Sequence, residues 1–228
     1  MEVLKTIWND LDWSVLTELL LGIIPSLLCI TLHELAHGAV ALCLGDTTAK
    51  DAGRLTLDPV KHIDIMGLLM MLTFRFGWAK PVPVNMYRFK NPRRGMALTA
   101  AAGPVCNILL ACVALFLYGF LYLPLYAHSA GMWFLKVIYL TAYISVSLAV
   151  FNVLPISPLD GSKVVYSFLP ERLYEKLMRY ERYGMLLLLI LVATRVFSAP
   201  LQKASAWIFD NVFFFAESGL QLYQRLFL

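Results

Sequence analysis

Charge is what this chain has least of. Asp, Glu, Lys and Arg make up 15% of its 228 residues, hydrophobic residues make up 60%, and mean hydropathy is +0.70. A soluble domain carries about a quarter charged residues, so this composition is that of a polytopic membrane protein. Cysteine is scarce as well. Cys29, Cys43, Cys106 and Cys112 lie in apolar runs and form no C-x-x-C pair, which argues against a disulfide framework or a cysteine-bound zinc. As small buried hydrophobes they need no further role. The N-terminal MEVLKTIWNDLDWS has one lysine, three acids and no small-residue cleavage site. It is not a secretory signal, and the first hydrophobic segment is expected to remain in the mature protein. No stretch is long enough for a second, soluble domain, and no internal repeat is visible. One domain over 1–228 is expected, with a core over 14–165 and accessory C-terminal helices over 183–228. The net charge of +4 is weak evidence for nucleic acid, and none is expected as a partner.

Long hydrophobic runs are plentiful. Crossing the hydrocarbon core takes about 20 helical residues, and the runs at 14–44, 96–126, 132–154 and 183–197 are the candidates. The last is short and would have to tilt or thin the bilayer. The segment 204–228, with Asp210, Glu217 and Arg225, suits a span or a helix lying in the interface equally well. The fold class expected is therefore an all-α membrane protein of four to six membrane segments. The region 46–95 breaks the pattern. Alternation in RLTLD (54–58) and PVPVN (81–85), bounded by Gly and Pro, predicts short membrane-associated β-strands. Between them, IMGLLMMLTF (65–74) is too short to span and suits a re-entrant or interfacial position.

Nine of the nineteen Lys and Arg residues fall in 46–95 and another five in 155–182. By the positive-inside bias both regions belong in the cytoplasm and the N-terminus outside, in a multi-pass cell-membrane protein. His33 and His37 then sit in the cytoplasmic half of the first span, and Asp160 follows the cytoplasmic end of the third.

Those residues carry the chemistry. In HELAH (33–37), the two histidines are one helical turn apart and about 40° apart around the axis, so both imidazoles can meet one metal ion. Glu34 lies beside them, about 60° from His37, placed to take a proton from water. Intramembrane ionisable groups are costly, and this trio in this spacing reads as a zinc site in preference to incidental hydrogen bonding. A catalytic zinc needs a third protein ligand and one open position. Asp160, in FNVLPISPLDG (151–161), is the candidate, since Pro155, Pro158 and Gly161 break the helix where chain irregularity can line a buried cavity. Alone, a D-G pair would read as a turn or cap.

HELAH, AAGPVCN (101–107) and FNVLPISPLDG together resemble the site-2 protease family of intramembrane zinc metalloproteases. GRLTLDPVKHID (53–64) is similar to the strand region of its short prokaryotic members. The resemblance covers residues 30–165, and its specificity lies in the order and spacing of three motifs. It implies one zinc per chain on His33, His37 and Asp160, with Glu34 as general base. It also implies that Asn152 holds the substrate or stabilises the oxyanion. Gly103 and Asn107 would line the neighbouring helix contact, although helix packing accounts for them equally well. The implied partners are a transmembrane protein substrate and the lipid bilayer, with room for a separate regulatory membrane protein. An unwound substrate strand is expected to pair with the edge formed by Arg54, Leu55, Thr56 and Leu57. The chain has no PDZ-sized insert and no CBS-like tail, and Ser162 stands where a second glycine often follows D-G. His62 and His128 match no ligand position and read as loop polarity. Two other classes fit the sequence less well. A metal transporter would show repeats and more acids along a path. A non-cutting scaffold for membrane helices would have little need of Glu34 together with three ligands.

Overall fold

The structure, a computed structural model, describes residues 13–74 and 77–228. Every regular element among them is helical. The N-terminal segment on which the outside placement rests, residues 1–12, lies outside the described residues.

Helix α1 (Trp13–Cys43) carries HELAH on its second half. It ends in a turn whose Asp46 is fully buried. The Asp46 carboxylate accepts the N–H of Thr48 at 3.0 Å and the N–H of Asn85 at 2.6 Å. Burial would raise the pKa of Asp46, but the hydrogen bonds from Thr48 and Asn85 and the nearby Arg88 hold it below the ordinary carboxylate value. The contact ties the chain leaving α1 to the chain entering the next long helix.

The intervening region holds α2 (Thr48–Asp51), α3 (Ile65–Phe74) and two 3-10 turns, Pro59–His62 and Met86–Arg88. The strands expected there do not form among the described residues. A single antiparallel bridge pairs Ile63 with Ala79, and the Lys80 N–H donates to the His62 carbonyl beside it. Local chemistry explains the failure. In 54–58, turn hydrogen bonds take the backbone: Arg54 N–H goes to Ala49, Asp58 N–H to the Thr56 hydroxyl, and Val60 N–H to the Asp58 carboxylate. In 79–85, Pro81 and Pro83 have no N–H to give a ladder. The helix α3, ten residues long, would reach about 15 Å, too short to span as expected.

Helix α4 (Pro92–Leu125) is the axis of the bundle. Asn91 caps it, with Pro92 in the first turn, where a missing N–H costs nothing. Its 34 residues make it about 50 Å long, well beyond a hydrocarbon core of about 30 Å. Its first turns therefore leave room for Arg93 and Arg94 beyond the apolar layer. Helices α1 and α5 (Ser129–Val153) pack against it and each other. The core is made of small residues, with Ala111, Ala114, Ala142 and Ala216 around Leu115, Val146 and Phe209, as in helices that approach closely within a membrane.

After α5 come α6 (Asp160–Tyr166), α7 (Glu171–Ala193), α8 (Ser198–Val212) and α9 (Phe214–Phe227). Among the described residues, three helices are long and apolar enough to cross a membrane, Leu21–Cys43, Pro92–Leu125 and Ser129–Val153. A fourth passage exists only if Tyr183–Ala193 and Ser198–Phe227, bent by 88° at their junction, count as one. The first half of α7 carries too many charges to extend its apolar end. The segment 204–228 is packed onto the bundle. Phe209 meets Tyr139 and Tyr143 edge-on, and α9 crosses α4 where Gly119 faces the Ala216 carbonyl and Gly219 the Phe116 carbonyl.

All four cysteines are free. Cys29 is fully buried, whereas Cys43, expected to be buried, is exposed at the end of α1. His128 precedes α5 in a capping position. His62 differs from expectation: it is 2% exposed, with Nε2 against the Thr56 carbonyl at 3.0 Å, and it packs the 53–64 loop inward.

Candidate metal centre

His33 and His37 lie on α1 where it packs on α4, and both are buried and reach Asp160 at the start of α6. Their rings stand edge to face, 4.6 Å apart between centroids. Asp160 is the first residue of α6. Its Oδ2 lies 3.1 Å from His33 Nε2 and 3.1 Å from His37 Nε2. The N-terminus of α6 reaches the imidazoles because Gly161 sits directly on the carbonyls of Val153 and Leu154, leaving no space for a Cβ. Burial works against a charge on Asp160, but its contacts with both imidazoles prevail and hold its carboxyl well below the ordinary range.

The donor set fits zinc. Tetrahedral ligand atoms about 2.0–2.1 Å from one zinc stand about 3.4 Å apart, and the three atoms here all lie within 4.8 Å of one another. The tautomers fit too. His37 Nδ1 donates to the Thr99 carbonyl at 2.7 Å, so its Nε2 keeps the lone pair a metal needs. His33 Nδ1 lies 3.2 Å from the Asn107 side-chain amide, whose Oδ1 is buried and has no partner. Turning that amide over brings the oxygen onto Nδ1. Nδ1–H then donates to it, Nε2 is freed, and the orphaned oxygen is satisfied.

Gly103 lets α4 pass this close. A methyl group there would lie 2.5 Å from His33 Cε1 and 2.5 Å from His37 Nε2. The metal-facing edge of the imidazole pair therefore rests against the bare backbone of α4.

Glu34 stands beside the cluster and not in it. Its Oε2 accepts the Val82 N–H at 2.8 Å. Between Pro81 and Pro83, Val82 is the one residue of that triplet able to donate. The chain there is held extended by side chains: Arg54 Nη2 donates to the Lys80 carbonyl at 2.7 Å, and Asn85 is tied to Asp46. A cavity of about 580 Å³ opens over the cluster, walled by Gly77, Trp78, Ala79, Pro81, Val82 and Val84 on one side and by Asn152, Lys163 and Leu188 on others. The Asn152 amide donates to the Leu148 carbonyl at 3.0 Å, which uses one of its two hydrogens.

The structure thus gathers His33, His37, Asp160, Glu34 and Asn152 around one cavity. The remaining expected site residues lie elsewhere. Arg54, Leu55, Thr56 and Leu57 are outside the cavity lining and form no strand edge; Arg54 acts as a hook on Lys80, and Leu57 is exposed. Asn107 is fully buried beneath His33 and does not reach the cavity. Reading the sequence missed the Thr99 carbonyl and the Val82 N–H, which are backbone groups with no signature in side-chain pattern. Lys163 was also missed, although it lies one turn beyond Asp160.

If Asn107 orients His33, Asn107→Ala should weaken zinc binding about 10–100-fold, while Asn107→Asp, still an acceptor, should restore most of it. Competition with a chromophoric chelator measures both, and equal affinities for all three proteins would remove the assigned role.

Residues 123–194 match peptidase family M50. The chain is 37% identical over 211 residues to the candidate zinc metalloprotease YwhC of Bacillus subtilis, covering 90% of this chain and 91% of that protein. It is 28% identical over 203 residues to the candidate zinc metalloprotease Rip2 of Mycolicibacterium smegmatis, covering 86% and 73%. For Rip2 of Mycobacterium tuberculosis the identity is 30% over 191 residues, covering 81% and 71%. No solved structure matches.

Proposed function

The chain belongs to peptidase family M50, and from that premise we propose that it is a zinc-dependent endopeptidase cutting peptide bonds in or near the transmembrane segments of other membrane proteins. The observation that carries this reading is the convergence of His33, His37 and Asp160, with Glu34 beside them, on a cavity inside a bundle of apolar helices. One zinc per chain, held by those three residues, supplies the Lewis acidity that acidifies water and polarises a carbonyl.

The chain's own residues do the rest. Val82 holds one oxygen of Glu34, leaving the other to take the proton from the attacking water and hand it to the departing amine. Asn152 has a second amide hydrogen for the developing oxyanion. The extended segment 77–84 forms the wall along which an unwound substrate chain lies, in place of the expected edge at 54–57. The cluster of Lys and Arg in the described parts of 46–95 and 155–182 favours a cytoplasmic site in a multi-pass cell-membrane protein with its N-terminus outside. The whole chain acts as one catalytic domain.

Metal removal tests the reading. The purified protein in detergent should hold one zinc per chain and cut at least one member of a panel of labelled single-span helices. Cutting should stop after dialysis against a chelator and return with zinc. A protein that binds panel helices equally with and without zinc, and cuts none, would be a scaffold.

A further inference from the structure

The active-site cavity has a neighbour. On the outer side of Met178, which lines both spaces, lies a cleft of about 880 Å³ between the start of α4 and the first half of α7. Among the described residues that line it, the cations Arg93, Lys90 and Arg179 outnumber the one acid, Glu171. That acid is already engaged, because Arg93 Nη2 contacts Glu171 Oε1 at 3.2 Å. Arg93 is further held by the Leu169 carbonyl at 3.4 Å and by the Tyr174 ring, 5.4 Å below its guanidinium carbon. Lys90 and Arg179 are exposed and have no ion pair among the described residues. On the cavity side of Met178, Lys163 adds another cation to the same route.

We propose that this cleft receives the flank of the substrate chain as it leaves the active site past Met178, and that it selects membrane-protein substrates whose flank carries acidic residues. The proposal rests on the peptidase reading and names the substrate class for that site. Positions differ in their share. Arg93 is fixed by three contacts and presents a preset positive surface. Lys90 and Arg179, both exposed, give the preference its strength and make it sensitive to salt. The shared Met178 wall favours a peptide over a lipid headgroup, since a continuous chain reaches both spaces and a headgroup needs only one.

The test uses the full chain reconstituted in neutral lipid, with three single-span substrates identical except for a flank of four acidic, four uncharged or four basic residues. Affinity is measured on the Glu34→Gln variant and cleavage on the wild type. The acidic flank should bind about fivefold more tightly than the uncharged one, with the gap closing at 0.5 M salt. In Lys90→Glu/Arg179→Glu the affinity order should reverse in favour of the basic flank. Affinity indifferent to flank charge overturns the proposal, whether or not any substrate is cut. So does a preference that survives the double variant, or a rate that follows added anionic lipid and ignores the flank. Absence of cleavage with the affinity order intact would instead count against the peptidase reading.

Discussion

Glu34→Gln should keep its zinc and lose its cleavage, by about 100-fold or more, the share of rate that a positioned acid–base group contributes. Retention of the metal follows from geometry. Glu34 is not among the three converging donor atoms, and a glutamine oxygen can still accept the Val82 N–H now received by Oε2. Packing, metal content and the extended 79–85 segment should all survive, so the lost rate reports the lost proton acceptor. Paired zinc analysis and single-turnover cleavage of a panel substrate make the measurement. A variant that cuts at the wild-type rate would remove Glu34 from the chemistry. One that loses zinc along with activity would show that the carboxylate supports the metal site itself.

Gly103→Ala should be nearly as damaging, by another route. Alanine is the better helix former by about 1 kcal/mol, so the change ought to be harmless or stabilising in an exposed helix. Here the new methyl would sit 2.5 Å from His37 Nε2 and 2.6 Å from His37 Cε1, distances that side-chain atoms do not share. Neither ring is free to withdraw, since Thr99 holds His37 and Asn107 faces His33. Forcing a methylene into such a contact typically costs about 1–3 kcal/mol, and the displaced atom is the one aimed at Asp160. Zinc content should fall below half of wild type and cleavage with it, while the protein remains folded. Gly22→Ala, with nothing within 4 Å of the added carbon, is the matched control and should change neither. Full zinc content in Gly103→Ala would mean the imidazoles can slide, and the close approach of α4 would then be packing alone.

The spacing of His33, Glu34 and His37 on one helix already specified a two-nitrogen site with a carboxylate beside it, because the helical repeat is set locally by the backbone. Hydropathy likewise marked the three long spans, because apolar runs of that length have few alternatives in water. Strands at 54–58 and 81–85 were read from alternation, and there the local pattern misled. Turn hydrogen bonds and two prolines removed the donors a ladder needs, and side-chain hooks from Arg54, Glu34 and Asp46 hold the 79–85 segment extended instead. Asp160 could be nominated from its motif, but its meeting with histidines 127 and 123 residues away is a property of how α1, α4 and α6 pack. The C-terminal segment suited a span or an interfacial helix equally well, and the structure adds that Gly219 and Ala216 fit it closely against α4. What the sequence determined by itself was the set of reactive groups and the membrane-spanning class, both consequences of short-range chemistry. Tautomer, burial, the Val82 hold on Glu34 and the clearance at Gly103 depend on backbone groups from distant segments, and only the tertiary structure could bring those into contact.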